Sequence, residues 1–230
     1  MPDPDAAPEP RRAALLDAAL MHVPFDGWSD ETFRAAARDA GIDLAEARLV
    51  CPRGAVDLAV DDHRRGDAEM AARLAADPGA GLRFRDRVAW AVRLRLEGAD
   101  REVVRRGTTL FALPQHAATG AELVWGTADA IWRALGDTSD DLNWYTKRAT
   151  LSAVHAATVL YWLGDDSPGQ AETWAFLDRR IEDVMRIESA KARLRDHPAL
   201  GPLMAGPIKL AERIRKPRGT GDLPGRAAPR

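Results

Sequence analysis

Residues 140–185 read DDLNWYTKRATLSAVHAATVLYWLGDDSPGQAETWAFLDRRIEDVM. This stretch predicts two helices joined by one tight turn. Ser139 suits a helix N-cap, with Asp140 and Asp141 against the positive end of the first helix dipole. Gly164 and Asp165–Asp166 close that helix. Ser167–Pro168–Gly169–Gln170 then suits the opening of the second, with Ser at the cap, Pro at the first helical position and Gln three residues on. The expected product is an αα-hairpin. On its first helix, Leu142, Tyr145, Ala149, Ala153, Ala156, Leu160 and Leu163 follow helical spacing and are the expected core stripe. The opposite face runs Trp144, Arg148, Leu151, His155, Thr158, Trp162. Adjacent residues point about 100° apart on a helix, so Trp144 and Tyr145 do not centre on one core. Either the helix packs on two sides, or Trp144 stands exposed near its start.

The rest of the 230-residue chain is consistent with an all-α protein. Hydrophobic residues make up 46%, enough for a full core in one domain or two small ones. Ala, Leu, Arg and Glu are abundant, Tyr occurs twice, and β-branched runs are few. The net charge of −2 gives no global attraction to nucleic acid. The single cysteine, Cys51, rules out an intrachain disulfide framework and reads as structural. No apolar run approaches the roughly 18 residues of a membrane span. Residues 1–10, acidic and Pro-rich, read as a disordered lead and not as a signal or transit peptide.

Outward from the hairpin, residues 11–76 predict three short helices and a longer one. The first covers Arg11 to His22 and ends at Pro24. The second is capped by Ser29 and stopped by Gly41. The third spans Leu44 to Val50, and the fourth runs from Ala55 to about Leu74. This is the layout of a TetR-type helix-turn-helix domain. Its expected recognition helix, Leu44-Ala-Glu-Ala-Arg-Leu-Val50, is poorly suited to phosphate. Residues 11–65 hold eight arginines, no lysine and ten acids, a net of −2. A linker at Asp77–Gly81 leads to residues 82–195, the expected larger helical ligand-binding domain. Its helices cover Leu82 to Glu97, Asp100 to about Phe111 and Gln115 to Leu135, followed by the hairpin. The tail, residues 196–230, carries seven basic against two acidic residues over 208–230, a net of +5. Ile208, Lys209, Arg213, Ile214, Arg215 and Lys216 give it an amphipathic, membrane-surface character; a disordered soluble tail is the competing reading.

No catalytic residues and no metal ligands stand out. His22, His63, His116, His155 and His197 are scattered outside metal-binding spacings. There is no nucleophile elbow, P-loop or dinucleotide fingerprint, so no enzyme activity and no cofactor are expected. Seven tryptophans in a small helical protein are either core or the wall of an apolar cavity.

The segments DDLNWYTKRATL, LYWLGDDSP and TWAFLDRRIEDVM, with HVPFDGWSDETFRAAARDAGI near the N-terminus, resemble the coenzyme Q (ubiquinone) biosynthesis accessory family known as Coq protein nine. The resemblance spans roughly residues 11–190. It implies a TetR-like fold that binds isoprenoid lipid and not DNA, peripheral attachment to the inner membrane from the cytoplasmic side, and a homodimer. It also implies a partner, the di-iron demethoxyubiquinone hydroxylase, to which quinone is presented. By that resemblance Asn143, Trp144 and Tyr145 form a partner-facing patch, with Asp141, Lys147 and Arg148 in the same motif. Trp90, Phe111, Leu123, Trp125, Trp132, Leu160, Phe176 and Ile181 are the candidates to line the lipid pocket. The alternative is a TetR-type ligand-responsive transcriptional regulator.

Overall fold

The computed structural model describes residues 10–195, with side chains over 10–186. Among the described residues it is all-helical, without strands. The helices are α1 (Pro10–Leu20), α2 (Val23–Asp26), α3 (Asp30–Asp39), α4 (Leu44–Val50), α5 (Ala55–Ala76), α6 (Phe84–Glu97), α7 (Arg101–Phe111), α8 (Ala117–Ala134), α9 (Leu142–Gly164) and α10 (Ala171–Arg195). A 3₁₀ turn, Pro168–Gln170, precedes α10. Two compact units divide the chain, Met1–Ile131 and Trp132–Arg230.

In the first unit, local chemistry sets the helix ends. The Ser29 hydroxyl accepts from the Thr32 amide at 3.1 Å and caps α3. Asp43 and Asp100 do the same for α4 and α7. Gly41, at φ +65°, takes the left-handed turn that ends α3. Pro24 does not simply end the first helix as expected. It sits in the first turn of the short α2, where its missing N–H costs nothing. Leu15, Leu16, Ala19, Phe33, Ala36, Ala47, Cys51 and Leu58 form a buried core over which α1, α3, α4 and α5 pack. Trp28 and Val103 complete it.

A second, polar cluster ties α5, α6 and α8 together. Arg95 donates through Nε to Asp67 at 2.8 Å and through Nη2 to the His63 carbonyl at 3.1 Å. The Thr127 hydroxyl lies 2.9 Å from Asp67 Oδ1 and 2.8 Å from His63 Nε2. Gly66 leaves room for this: a Cβ there would sit 2.7 Å from the Arg95 guanidinium.

In the second unit, α9 and α10 pack as the expected hairpin. The two helix starts differ in detail from the sequence expectation. Asp141, not Ser139, caps α9, accepting from the Asn143 amide at 2.8 Å. At the second helix, Gln170 is held at φ +51°, so the Ser167–Gln170 capping box does not form. Asp165 takes over instead. Its buried carboxylate accepts from the Ser167 and Thr173 amides, each at 2.8 Å. The Thr173 and Ser167 hydrogen bonds hold it well below the ordinary carboxylate range.

The larger correction concerns which face of α9 is buried. Arg148, Leu151, Val154, His155, Thr158 and Trp162 are inside. Ala149, Ala153 and Leu160 of the expected core stripe are exposed, Leu160 by 63%, while Leu163 of the same stripe is buried. Two polar members of the buried face have partners there: Thr158 donates to the Val154 carbonyl at 2.7 Å, and Arg148 pairs with a carboxylate outside the helix.

Candidate functional site

The site is built around the loop from Leu135 to Asp141 and the first two turns of α9. Asp137 lies at its centre, its side chain only 4% exposed. Its carboxylate accepts from the Ser139 hydroxyl at 2.8 Å, Lys147 Nζ at 2.7 Å and Arg148 Nη1 at 3.1 Å. Burial alone would raise its pKa; the hydrogen bonds from Lys147, Ser139 and Arg148 prevail and leave it at about 2. The Asp137 carboxylate is therefore ionised throughout the physiological range.

Both cations that reach Asp137 also lie on tryptophans. The Arg148 guanidinium sits 4.2 Å from the centre of the Trp144 ring and donates to the Trp144 carbonyl at 3.1 Å. Lys147 Nζ lies 5.3 Å from the Trp132 ring, whose Nε1 donates to the Lys147 carbonyl at 3.1 Å. Trp144 also meets Tyr145 edge to face, with centroids 4.8 Å apart. Asn143 is exposed and donates from Nδ2 to Asp141 at 3.1 Å.

The motif residues therefore come together, but in unequal roles. Asn143 faces solvent, and Trp144 and Tyr145 are half-buried. Trp144 is thus neither fully exposed nor core. Asp141 is used as the helix cap. Arg148 is 2% exposed and lies under the patch, so it offers no surface for direct contact. The pattern NWYTKRA shows nothing of Asp137, a loop residue ten positions before Lys147.

The eight candidate lipid-lining residues take separate positions. Phe111 packs against the N-terminal core. Leu123, Trp132 and Ile181 are buried. Trp90 and Trp125 are half-buried. Phe176 stacks on Tyr161 at 4.6 Å between centroids, and Leu160 lies open on α9. An open depression of about 460 Å³ at the hairpin turn is lined by Tyr161, Gly164, Asp165, Asp166, Ser167 and Glu172, none of them a candidate lipid residue. The tail candidates Ile208, Lys209, Arg213, Ile214, Arg215 and Lys216 lie outside the described residues.

In the helix-turn-helix region, α4 exposes Leu49 by 80% and Leu44 by 41%. Arg48 on α4 pairs with Asp30, and Arg11 with Glu46 at 2.6 Å. Arg12 reaches Asp61 and Arg65 reaches Asp17. These four guanidinium groups are paired with carboxylates, and the expected recognition helix exposes two leucines. Among the described residues, no group of three or more His, Cys, Asp or Glu side chains is placed to hold a metal ion. No described helix is long and apolar enough to cross a membrane.

Comparison with known proteins points in one direction. Residues 117–188, which span α8, the site, the hairpin turn and most of α10, match the COQ9 family model. "Ubiquinone biosynthesis protein COQ9, mitochondrial" of Drosophila melanogaster is 33% identical over 77% of this chain and 56% of its own length. The Homo sapiens protein of the same name is 30% identical over 75% of this chain and 57% of its own length. The chain thus spans little more than half the length of these curated relatives. A crystal structure of a TetR transcriptional regulator from Nitrosomonas europaea superposes with a TM-score of 0.61 at 20% identity, covering 76% of this chain and 97% of that one. The fold is TetR-like.

Proposed function

We propose that this chain, which carries a COQ9-family domain, serves ubiquinone biosynthesis as an accessory protein and not as an enzyme. In this reading it binds an isoprenoid quinone precursor and presents it to the di-iron demethoxyubiquinone hydroxylase. Asn143, Trp144 and Tyr145 form the docking patch, backed by Arg148. The observation that carries the reading is the family match over residues 117–188, which contains the whole ordered aromatic cluster at the start of α9. Half-buried aromatics with one open edge, held in a fixed geometry, suit an interface anchor, since Trp and Tyr are enriched among residues that dominate binding energy.

The lipid part has a simple physical basis. A polyprenyl quinone is nearly insoluble, and a helical protein that covers its tail recovers about 25 cal/mol per Å² of apolar area. Exposed Leu160 and the Phe176 ring stacked on Tyr161 are the hairpin side chains that would meet such a tail. The homodimer and attachment to the inner membrane through the basic tail belong to the same proposal. The mitochondrial naming of the curated relatives fits a site of action at that membrane. Mass spectrometry of lipid extracted from the natively purified protein tests the lipid part. An isoprenoid lipid near one per chain is expected; protein purified from quinone-producing cells without isoprenoid lipid contradicts it.

The regulator reading is the weaker of the two. The paired arginines and apolar α4 surface oppose the phosphate contacts that a DNA reader needs.

A further inference from the structure

One carboxylate organises two cation–aromatic pairs. Asp137 receives Lys147 at 2.7 Å and Arg148 at 3.1 Å, and these neighbours in sequence lie on Trp132 and Trp144 respectively. Without the carboxylate, two adjacent cations would repel, and Arg148, 2% exposed, would lose the buried acid it pairs with. Arg148 also grips Trp144 twice, at the ring face and at the backbone carbonyl. The guanidinium is planar and suits stacking on an indole, where an ammonium acts as a point charge. Ser139 in turn fixes Asp137, through a hydroxyl that also receives Lys147 at 2.7 Å.

We propose that Asp137 and Arg148 are positioning residues of the docking patch: Asp137 orients the Arg148 guanidinium, and Arg148 sets the Trp144 ring at the angle a partner meets. This rests on the reading of Asn143, Trp144 and Tyr145 as the hydroxylase-docking surface. Neither positioning residue contacts the partner. The depressed pKa of Asp137 supports the arrangement, because the carboxylate stays ionised and the relay does not weaken near neutral pH.

The test is a double-mutant cycle on the full-length chain, with hydroxylase affinity and melting temperature measured for wild type, Arg148→Lys, Trp144→Ala and the double variant. Arg148→Lys keeps the charge for Asp137 but loses the flat platform. It is expected to weaken hydroxylase binding about tenfold, and to add less than about twofold once Trp144 is alanine, because the two act as a unit. Asp137→Asn should follow Arg148→Lys in affinity, with partial recovery in Asp137→Glu. If Asp137→Asn does not fold, the Arg148→Lys cycle decides. Native affinity in Arg148→Lys, or the same loss whether or not Trp144 is present, overturns the positioning role alone. Native affinity in Trp144→Ala removes the docking surface itself, and the positioning role with it.

Discussion

Arg148 and His63 show how single side chains reach places their type rarely occupies. Arg148 is accepted inside because Asp137 and the Trp144 carbonyl receive its protons and an indole covers its face. His63 is accepted because it stays neutral. Burial, reinforced by the Arg95 guanidinium, pushes its pKa from 6.5 down to about 3. Between those two values the unfolded chain binds a proton that the folded protein excludes, so folding stability falls as pH drops through the window and is regained as pH rises above it. Urea unfolding from about pH 7 down to about pH 4 should show this loss, and His63→Gln should lose distinctly less over the same range. Equal slopes for the two proteins would mean that His63 charges freely in the folded state. The depressed carboxylates Asp137 and Asp165 act on the same sign principle but lower, with stability lost only as pH falls below the ordinary carboxylate range.

Among the elements, α9 separates what sequence pattern reveals from what it hides. The hairpin, most helix starts, the Ser29 cap and the Gly41 stop were all legible, because each depends on residues close in sequence. The buried face of α9 was not. Hydrophobic spacing favoured Ala149, Ala153 and Leu160 over a face carrying Arg148, His155 and Thr158, and the partner that reverses the choice, Asp137, belongs to the preceding loop. The Asp165 cap was hidden in the same way, since Asp165 reaches Thr173 across the 3₁₀ turn. The docking motif was legible as a block of sequence, but not the division between its exposed and supporting members. The inverted face is directly measurable. Leu151→Ala, at 4% exposure, should cost about 2–5 kcal/mol in denaturant unfolding. Leu160→Ser, at 63% exposure, should stay within about 0.5 kcal/mol for the isolated chain. The reverse order would restore the stripe that spacing alone suggested.

For the whole molecule, a TetR-like fold carries a helix-turn-helix region whose residues 11–65 have a net charge of −2. The helix-turn-helix region is intact as a packing unit, while Arg11, Arg12 and Arg65 pair with carboxylates of the same region. Filter or mobility-shift binding to duplex DNA should therefore be no tighter than that of a neutral protein and nearly insensitive to salt; nanomolar, steeply salt-dependent binding would return the chain to the regulators. In the proposed function the molecule is a delivery protein, and bound quinone is handed to a hydroxylase through the Trp144 patch. Hydroxylase turnover of demethoxyubiquinone supplied in lipid vesicles measures this most directly, with the wild-type chain or Trp144→Ala added at increasing concentration. The account predicts that wild-type protein accelerates turnover until the hydroxylase is saturated, and that Trp144→Ala, checked to be folded, gives roughly tenfold less acceleration at the same concentration. Turnover unchanged by the wild-type chain, or raised equally by both proteins, would contradict it.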